Sequence, residues 1–149
     1  MSEKQKNRIL LVEDDPDTRY ALSLLFEMEG FEIDQATDGK EAYAKAARLR
    51  PDLIITDINM PNLSGLDLIQ LIKENNGLRQ IPIVAVSAVD SKQLNRAREM
   101  GAIAVYQKPI EYDSLITFIA RMLSRRSRAR KRAIQNNHVQ NNHAQNNHA

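Results

Sequence analysis

The chain has 149 residues, about the size of one globular domain, so we expect a single folded domain. It contains no Cys, and its three His residues lie at 138, 143 and 148, which excludes disulfides, Cys/His zinc sites and Ser-His-Asp catalysis from residues 1–137. No apolar stretch approaches the roughly 18–20 residues of a membrane span, and the start lacks the apolar core of a secretory signal. We therefore expect a soluble, cytoplasmic protein that makes no membrane contact.

Charge is distributed unevenly along the chain. Residues 121–149 contain seven Lys or Arg and no acid, whereas residues 1–120 contain 14 bases and 19 acids. The first part therefore carries a formal charge of −5 and the tail +7. This asymmetry predicts an acidic, cation-binding body joined to a basic extension that could meet an anionic surface.

Short apolar runs alternate five times with longer amphipathic stretches. In chain order the apolar runs are residues 9–12, 31–33, 53–56, 83–86 and 103–106, and three of them are nearly continuous in apolar residues, as in parallel strands buried on both faces. The stretches between and after them keep apolar residues three or four apart, at 22–26, 42–49, 68–72, 94–100 and 115–123. Asp15-Pro16 indicates a helix start, and Gly30 and Gly101 indicate helix ends.

This alternation predicts an α/β fold with a doubly wound, five-stranded parallel sheet of the flavodoxin-like order 2-1-3-4-5. We expect an N-terminal tail at 1–7, the folded domain at 8–124, and a tail at 125–149. The last segment is a basic run followed by imperfect Gln-Asn-Asn-His repeats, which leaves little to bury. Disorder is the preferred prediction for it, and a frayed helical extension is the alternative.

Polar residues follow four of the five predicted strands. Glu13, Asp14 and Asp15 follow the first, Asp57 the third, Ser87 the fourth and Lys108 the fifth. Taken singly, each of these has a structural explanation, such as a helix N-cap for Asp15. Because strands one, three, four and five are adjacent in the proposed order, their carboxyl ends should bring these groups together.

Clustered carboxylates stay ionised only where a positive charge offsets their repulsion. Mg²⁺ suits such a cluster, because it prefers oxygen ligands and is commonly held by one or two carboxylates, here Asp14 and Asp57. An ionised Asp57 could then attack phosphorus, with Lys108 sharing the charge of the phosphoryl group and the Ser87 hydroxyl donating a hydrogen bond to it.

Between about Arg8 and Leu123 the sequence resembles the receiver domains of two-component response regulators, of the single-domain type. The motifs that carry the resemblance are Val12-Glu13-Asp14-Asp15, Asp57-Ile58-Asn59-Met60-Pro61 with Ser64-Gly65, Ser87-Ala88, and Lys108-Pro109. Their order and spacing make the resemblance highly specific.

The resemblance implies that Asp57 accepts a phosphoryl group from a phosphohistidine on a sensor histidine kinase or a histidine phosphotransfer protein. It implies that Asp14, Asp57 and the backbone carbonyl of Asn59 bind Mg²⁺, with Glu13 acting through a water. It also implies a cis Lys108-Pro109 peptide and a surface that switches toward a downstream protein. The chain would then catalyse only its own phosphorylation and dephosphorylation.

Two positions depart from the family pattern at the switch. Where receivers usually carry an aromatic residue, three before the lysine, this chain has Val105, and its aromatic residue, Tyr106, comes one position later. Adjacent strand residues point to opposite faces. Ile110 also replaces the usual aromatic after Lys-Pro. The switch candidates are therefore Ser87, Val105 and Tyr106, and the standard aromatic mechanism is in doubt.

Two other function classes compete with a phosphorylation switch. A degenerate receiver could act as a phosphorylation-independent adaptor whose basic tail binds anions, including nucleic acid. A phosphatase or nucleotide-binding enzyme is less favoured, because the five Gly residues form neither a P-loop nor a dinucleotide fingerprint. Asn59 also stands where a haloacid-dehalogenase-type phosphatase would need a second acid.

Overall fold

The computed structural model describes residues 5–88 and 91–146, and within them strands and helices alternate. The elements are β1 (Arg8–Val12), α1 (Pro16–Met28), β2 (Glu32–Ala36), α2 (Gly39–Leu49), β3 (Leu53–Asp57), α3 (Gly65–Glu74), β4 (Ile83–Ser87), α4 (Ser91–Met100), β5 (Ala104–Gln107) and α5 (Tyr112–Asn146). No helix within these residues is both long and apolar enough to cross a membrane.

The five strands form one parallel sheet in the order β2-β1-β3-β4-β5, which confirms the predicted flavodoxin-like topology. All residues of β3 and β4 are buried, which explains their continuous apolar sequences. Asp57 pairs with Val86 in the register of these two strands, so Asp57 and Ser87 lie at the same edge of the sheet.

Polar side chains cap α1 and α3, the helices that follow β1 and β3. The Asp15 side chain accepts a hydrogen bond from the Thr18 amide at 2.9 Å, which confirms it as the N-cap of α1. Ser64 caps α3 in the same way and forms a reciprocal capping box with Asp67. Gly30 and Gly101 follow α1 and α4 with φ values of 93° and 118°, as the predicted helix ends require.

A hydrophobic core joins the sheet to α2, α3 and α4. Side chains of the strands, including Leu10, Ile54 and Ala85, contribute to the same buried cluster as apolar side chains of these helices. The apolar spacing in the sequence therefore marked one buried face of each of the three helices.

The structure differs from the sequence prediction in β2 and in the tail. β2 covers Glu32–Ala36, later than the expected 31–33. It is an edge strand and is less buried than the central strands, so it tolerates polar residues such as Asp34 and Gln35. The chain forms two compact units that divide after Ile110, and α5, in the second unit, stays helical to Asn146. No Gly or Pro follows Pro109, and Arg, Lys, Ala and Gln favour helix.

Candidate functional site

Four strands deliver polar groups to one edge of the sheet. Glu13 and Asp14 directly follow β1, Asp57 and Ser87 are the last residues of β3 and β4, and Lys108 directly follows β5. The backbone continues this arrangement past the strands, because the amide of Lys108 donates to the carbonyl of Ser87 at 2.9 Å. The groups that the sequence placed at strand ends are thus brought to the same edge.

Three carboxylates form the centre of this site. Glu13, Asp14 and Asp57 each offer an oxygen within 4.8 Å of the others. Glu13 and Asp57 are only 3% and 8% exposed, whereas Asp14 is exposed to solvent. Burial and the neighbouring charge of Asp57 raise the pKa of the Glu13 carboxyl, although Lys108 acts in the opposite direction. The cluster therefore carries concentrated negative charge that solvent screens poorly.

Lys108 supplies the opposing charge. Its ammonium lies 2.9 Å from Asp57 Oδ2 and 3.1 Å from Glu13 Oε2. Burial tends to lower the pKa of Lys108, but its hydrogen bonds to the two carboxylates and their charges outweigh burial, so the pKa is raised. Lys108 is therefore a stable cation at this site. The Lys108-Pro109 peptide is cis, as the resemblance implied.

Neighbouring residues of β3 and of the loop after it hold Asp57 through two hydrogen bonds. The amide of Asn59 donates to Asp57 Oδ1 at 3.3 Å, and the Thr56 hydroxyl donates to the Asp57 carbonyl at 2.9 Å. The Asn59 side chain reaches Ser87 Oγ at 3.5 Å, a long contact that links the ends of β3 and β4. Ser87 is fully buried.

Gly65 is a site residue whose role the sequence did not reveal. A Cβ atom built on Gly65 would lie 2.1 Å from the carbonyl oxygen of Asp57 and 2.7 Å from the Cα of Ile58. The Gly65 amide also donates to the carbonyl of Ile58 at 2.8 Å. Only glycine allows the start of α3 to pack so closely on the backbone of Asp57. The available signal was the Ser64-Gly65 pair, which is one of the motifs that carry the family resemblance.

The two β5 switch candidates occupy neighbouring strand positions. Val105 pairs with Ala85 and packs against the core cluster, while Tyr106 pairs with Val86 and points to the other face of the sheet. Tyr106 is partly buried, and this burial raises the pKa of its phenol. Neither of them occupies a strand-end position, where the acidic groups lie.

The donor set suits a hard divalent cation. All three clustered side chains are carboxylates, and Mg²⁺ prefers oxygen ligands while keeping several waters of its own. The exposed carboxylate of Asp14 leaves the cluster open to solvent, so a hydrated ion can reach it. The residues present therefore fit Mg²⁺ in composition and access.

Comparison with known proteins identifies the family to which the chain belongs. Residues 9–120 match the family model for the response regulator receiver domain. The chain is 36% identical over 112 residues to the polar-differentiation response regulator DivK of Brucella anthropi, covering 74% of this chain and 91% of that protein. The chain therefore belongs to the response regulator receiver family of two-component systems.

Several relatives are longer than this chain. It is 42% identical over 111 residues to a protein-glutamate methylesterase/protein-glutamine glutaminase of Methanospirillum hungatei, but spans only 31% of that protein. It spans 51% of the DNA-binding regulator RpaA of Synechocystis, at 30% identity. Among solved structures, the chemotaxis response regulator CheY4 of Vibrio cholerae superposes with a TM-score of 0.73 at 28% identity, covering 78% of this chain and 98% of CheY4.

Proposed function

We propose that the chain is a phosphorylation-dependent signalling domain in which Asp57 accepts a phosphoryl group from a phosphohistidine. The donor would be a sensor histidine kinase or a histidine phosphotransfer protein, and the modified domain would bind a downstream partner protein. The observation that carries the proposal is that the Asp57 carboxylate lies 2.9 Å from the ammonium of Lys108 and clusters with two further carboxylates.

In the proposed step, one carboxylate oxygen of Asp57 forms a bond to phosphorus while the phosphorus–nitrogen bond of the donor breaks. The electron pair of that bond stays on the imidazole nitrogen, which takes a proton from solvent. The product is an acyl phosphate on Asp57. The main barrier is repulsion between the attacking carboxylate and the phosphoryl oxygens, so the site must neutralise charge.

Residues of this chain would share that task. Asp14, Asp57 and the Asn59 carbonyl would hold Mg²⁺, with Glu13 reaching it through a water. When bound, the ion offsets negative charge on the phosphoryl oxygens. Lys108 already contacts Asp57 and would pair with one phosphoryl oxygen, and the Ser87 hydroxyl would donate to another.

Phosphorylation by a small acyl-phosphate donor tests the assignment of Asp57. With Mg²⁺ the protein should acquire an alkali-labile phosphate, and Asp57→Asn should abolish the label. Asp17→Asn is the matched control, because Asp17 is an exposed carboxylate in the first turn of α1 and does not belong to the cluster. A label that persists in the Asp57 variant would refute the assignment.

A phosphorylation-independent adaptor is the second candidate, and Val105 is the observation that favours it. A valine packed against the core has no aromatic ring that could rotate between two states. Binding of a partner should be compared for the phosphorylated and unmodified protein. Equal affinities would support the adaptor, whereas a phosphorylation-dependent affinity would support the switch.

A further inference from the structure

The middle of α5 carries an unusual concentration of arginine. Seven bases lie between residues 121 and 132, and no acid occurs in the sequence after Asp113. Six of the seven are Arg, whereas residues 1–120 contain Arg and Lys in equal numbers, seven of each. Arginine presents a planar fork of donors that matches phosphate oxygens, and it is the more weakly hydrated of the two cations.

Four of these arginines form a row along one side of α5, which we call the arginine stripe: Arg121, Arg125, Arg128 and Arg132. Their spacings of four, three and four residues keep them on one face of a helix with about 3.6 residues per turn. All four side chains are exposed. At about 1.5 Å per residue the stripe is about 16 Å long.

The buried side of α5 lies away from the stripe. Leu115, Ile119 and Leu123 are at most 3% exposed and, by their helical spacing, share a face opposite to the four arginines. The arginine stripe therefore lies on the solvent side of the helix, opposite the face that is buried.

We infer that the arginine stripe binds the phosphate backbone of double-stranded nucleic acid. A duplex carries one negative charge for about every 1.7 Å of its axis, so a straight row of four guanidinium groups meets several phosphates at once. The absence of any acid beyond Asp113 removes the repulsion that a mixed-charge helix would present. Contacts of this kind position a protein on the duplex without reading its base sequence.

A lipid surface fits the helix less well than a duplex. A helix that lies in a membrane interface needs an exposed apolar face opposite its basic face. Beyond Ser124, the described part of α5 exposes two large apolar side chains, Ile134 and Val139, at 67% and 60%. They are five residues apart, which places them about 140° from each other around the helix rather than on a common face.

The affinity of the full chain for a mixed-sequence DNA duplex, measured as a function of salt, tests the inference. Four phosphate contacts predict a slope of about −3.6 for log K against log salt concentration, hence an affinity loss of about 150-fold between 0.05 and 0.2 M salt. Anionic lipid vesicles and poly-glutamate serve as competing polyanions at equal salt. If either bound as tightly as the duplex, the inference would be overturned.

Two charge-removing variants distinguish the effect of the arginine stripe on binding from the effect of the net charge of the tail. Substituting Gln for all four stripe arginines should bring the slope close to zero. Substituting Gln for Arg126, Arg130 and Lys131, the bases off the stripe, should change the slope by less than one unit. Circular dichroism checks that both variants keep the helix content of the parent. Equal losses of slope per charge removed would show that only net charge matters, and would overturn the assignment to the stripe.

Discussion

Replacement of Gly65 by Ala tests the close packing of α3 on the end of β3 and the loop that follows it. The added Cβ would lie 2.1, 2.7 and 3.0 Å from the carbonyl oxygen of Asp57, the Cα of Ile58 and the carbonyl carbon of Asp57. All three are backbone atoms, so no flexible side chain can move aside. The loop or the start of α3 must therefore shift.

The cost can be worked from these contacts. Overpacking a close-packed site usually costs about 1–3 kcal/mol, and backbone neighbours place Gly65→Ala toward the upper end. Alanine recovers at most about 0.5–1 kcal/mol relative to glycine, the value for a helix interior, because Gly65 is the first residue of α3. The net loss in free energy of unfolding should be about 2 kcal/mol. Because the shift moves Asp57 itself, the rate of phosphorylation should also fall.

Gly77→Ala is the matched control for this prediction. At Gly77 the nearest atom to an added Cβ is the side-chain Oδ1 of Asn75, at 3.4 Å, so the methyl group fits. Urea denaturation should show Gly77→Ala within about 0.5 kcal/mol of the parent. If Gly65→Ala were as stable as Gly77→Ala and accepted phosphate at the parent rate, the structural account of this loop would be wrong.

Two further predictions concern charge. Without Mg²⁺, Lys108→Gln should lower the free energy of unfolding by about 1–3 kcal/mol, because it leaves two carboxylates without their cation. The same substitution should tighten Mg²⁺ binding. Urea denaturation and titration calorimetry measure the two effects, and Lys40→Gln, at an exposed lysine, is the control. Glu41→Gln should destabilise the protein at pH 7 by no more than about 1 kcal/mol, since the pair of Glu41 with Lys45 is partly exposed. The hydrogen bond from Lys45, followed by those from Thr37, lowers the pKa of Glu41 from 4.5 to about 2, so the stabilisation is complete above pH 4.5 and disappears as the pH falls through 2. Urea midpoints that differed equally at pH 7 and below pH 2 would contradict this cause.

The sheet and the acidic centre were predictable because both depend on simple periodic rules. Continuous apolar runs indicated buried parallel strands, and parallel strands must end at a common edge, which brings Asp57 and Lys108 together from 51 residues apart. Right-handed crossovers indicated a doubly wound sheet, and 2-1-3-4-5 is one of the two common orders of such a sheet. These rules require no knowledge of loop conformation.

Features that depend on the path of a loop or on weak propensities were not predictable in the same way. The contact of Gly65 with Asp57 arises from the conformation of the intervening loop, which no periodicity encodes. The register of β2 depends on which polar side chains an edge strand exposes. The helix of the tail depends on summed propensities of residues that bury little, so composition alone favoured disorder.

The geometry limits how phosphorylation at Asp57 could reach the rest of the domain. Val105 packs on the core and has no aromatic ring that could rotate. Lys108, in contrast, donates a hydrogen bond from its ammonium to Asp57 and another from its backbone amide to the carbonyl of Ser87. A phosphoryl group on Asp57 would draw the ammonium of Lys108 away from Glu13 and the hydroxyl of Ser87 toward the new oxygens. Both movements act on the ends of β4 and β5. A switch in this chain would therefore have to work through those strand ends, where Tyr106 is the aromatic residue of β5, and not through the side chain at position 105.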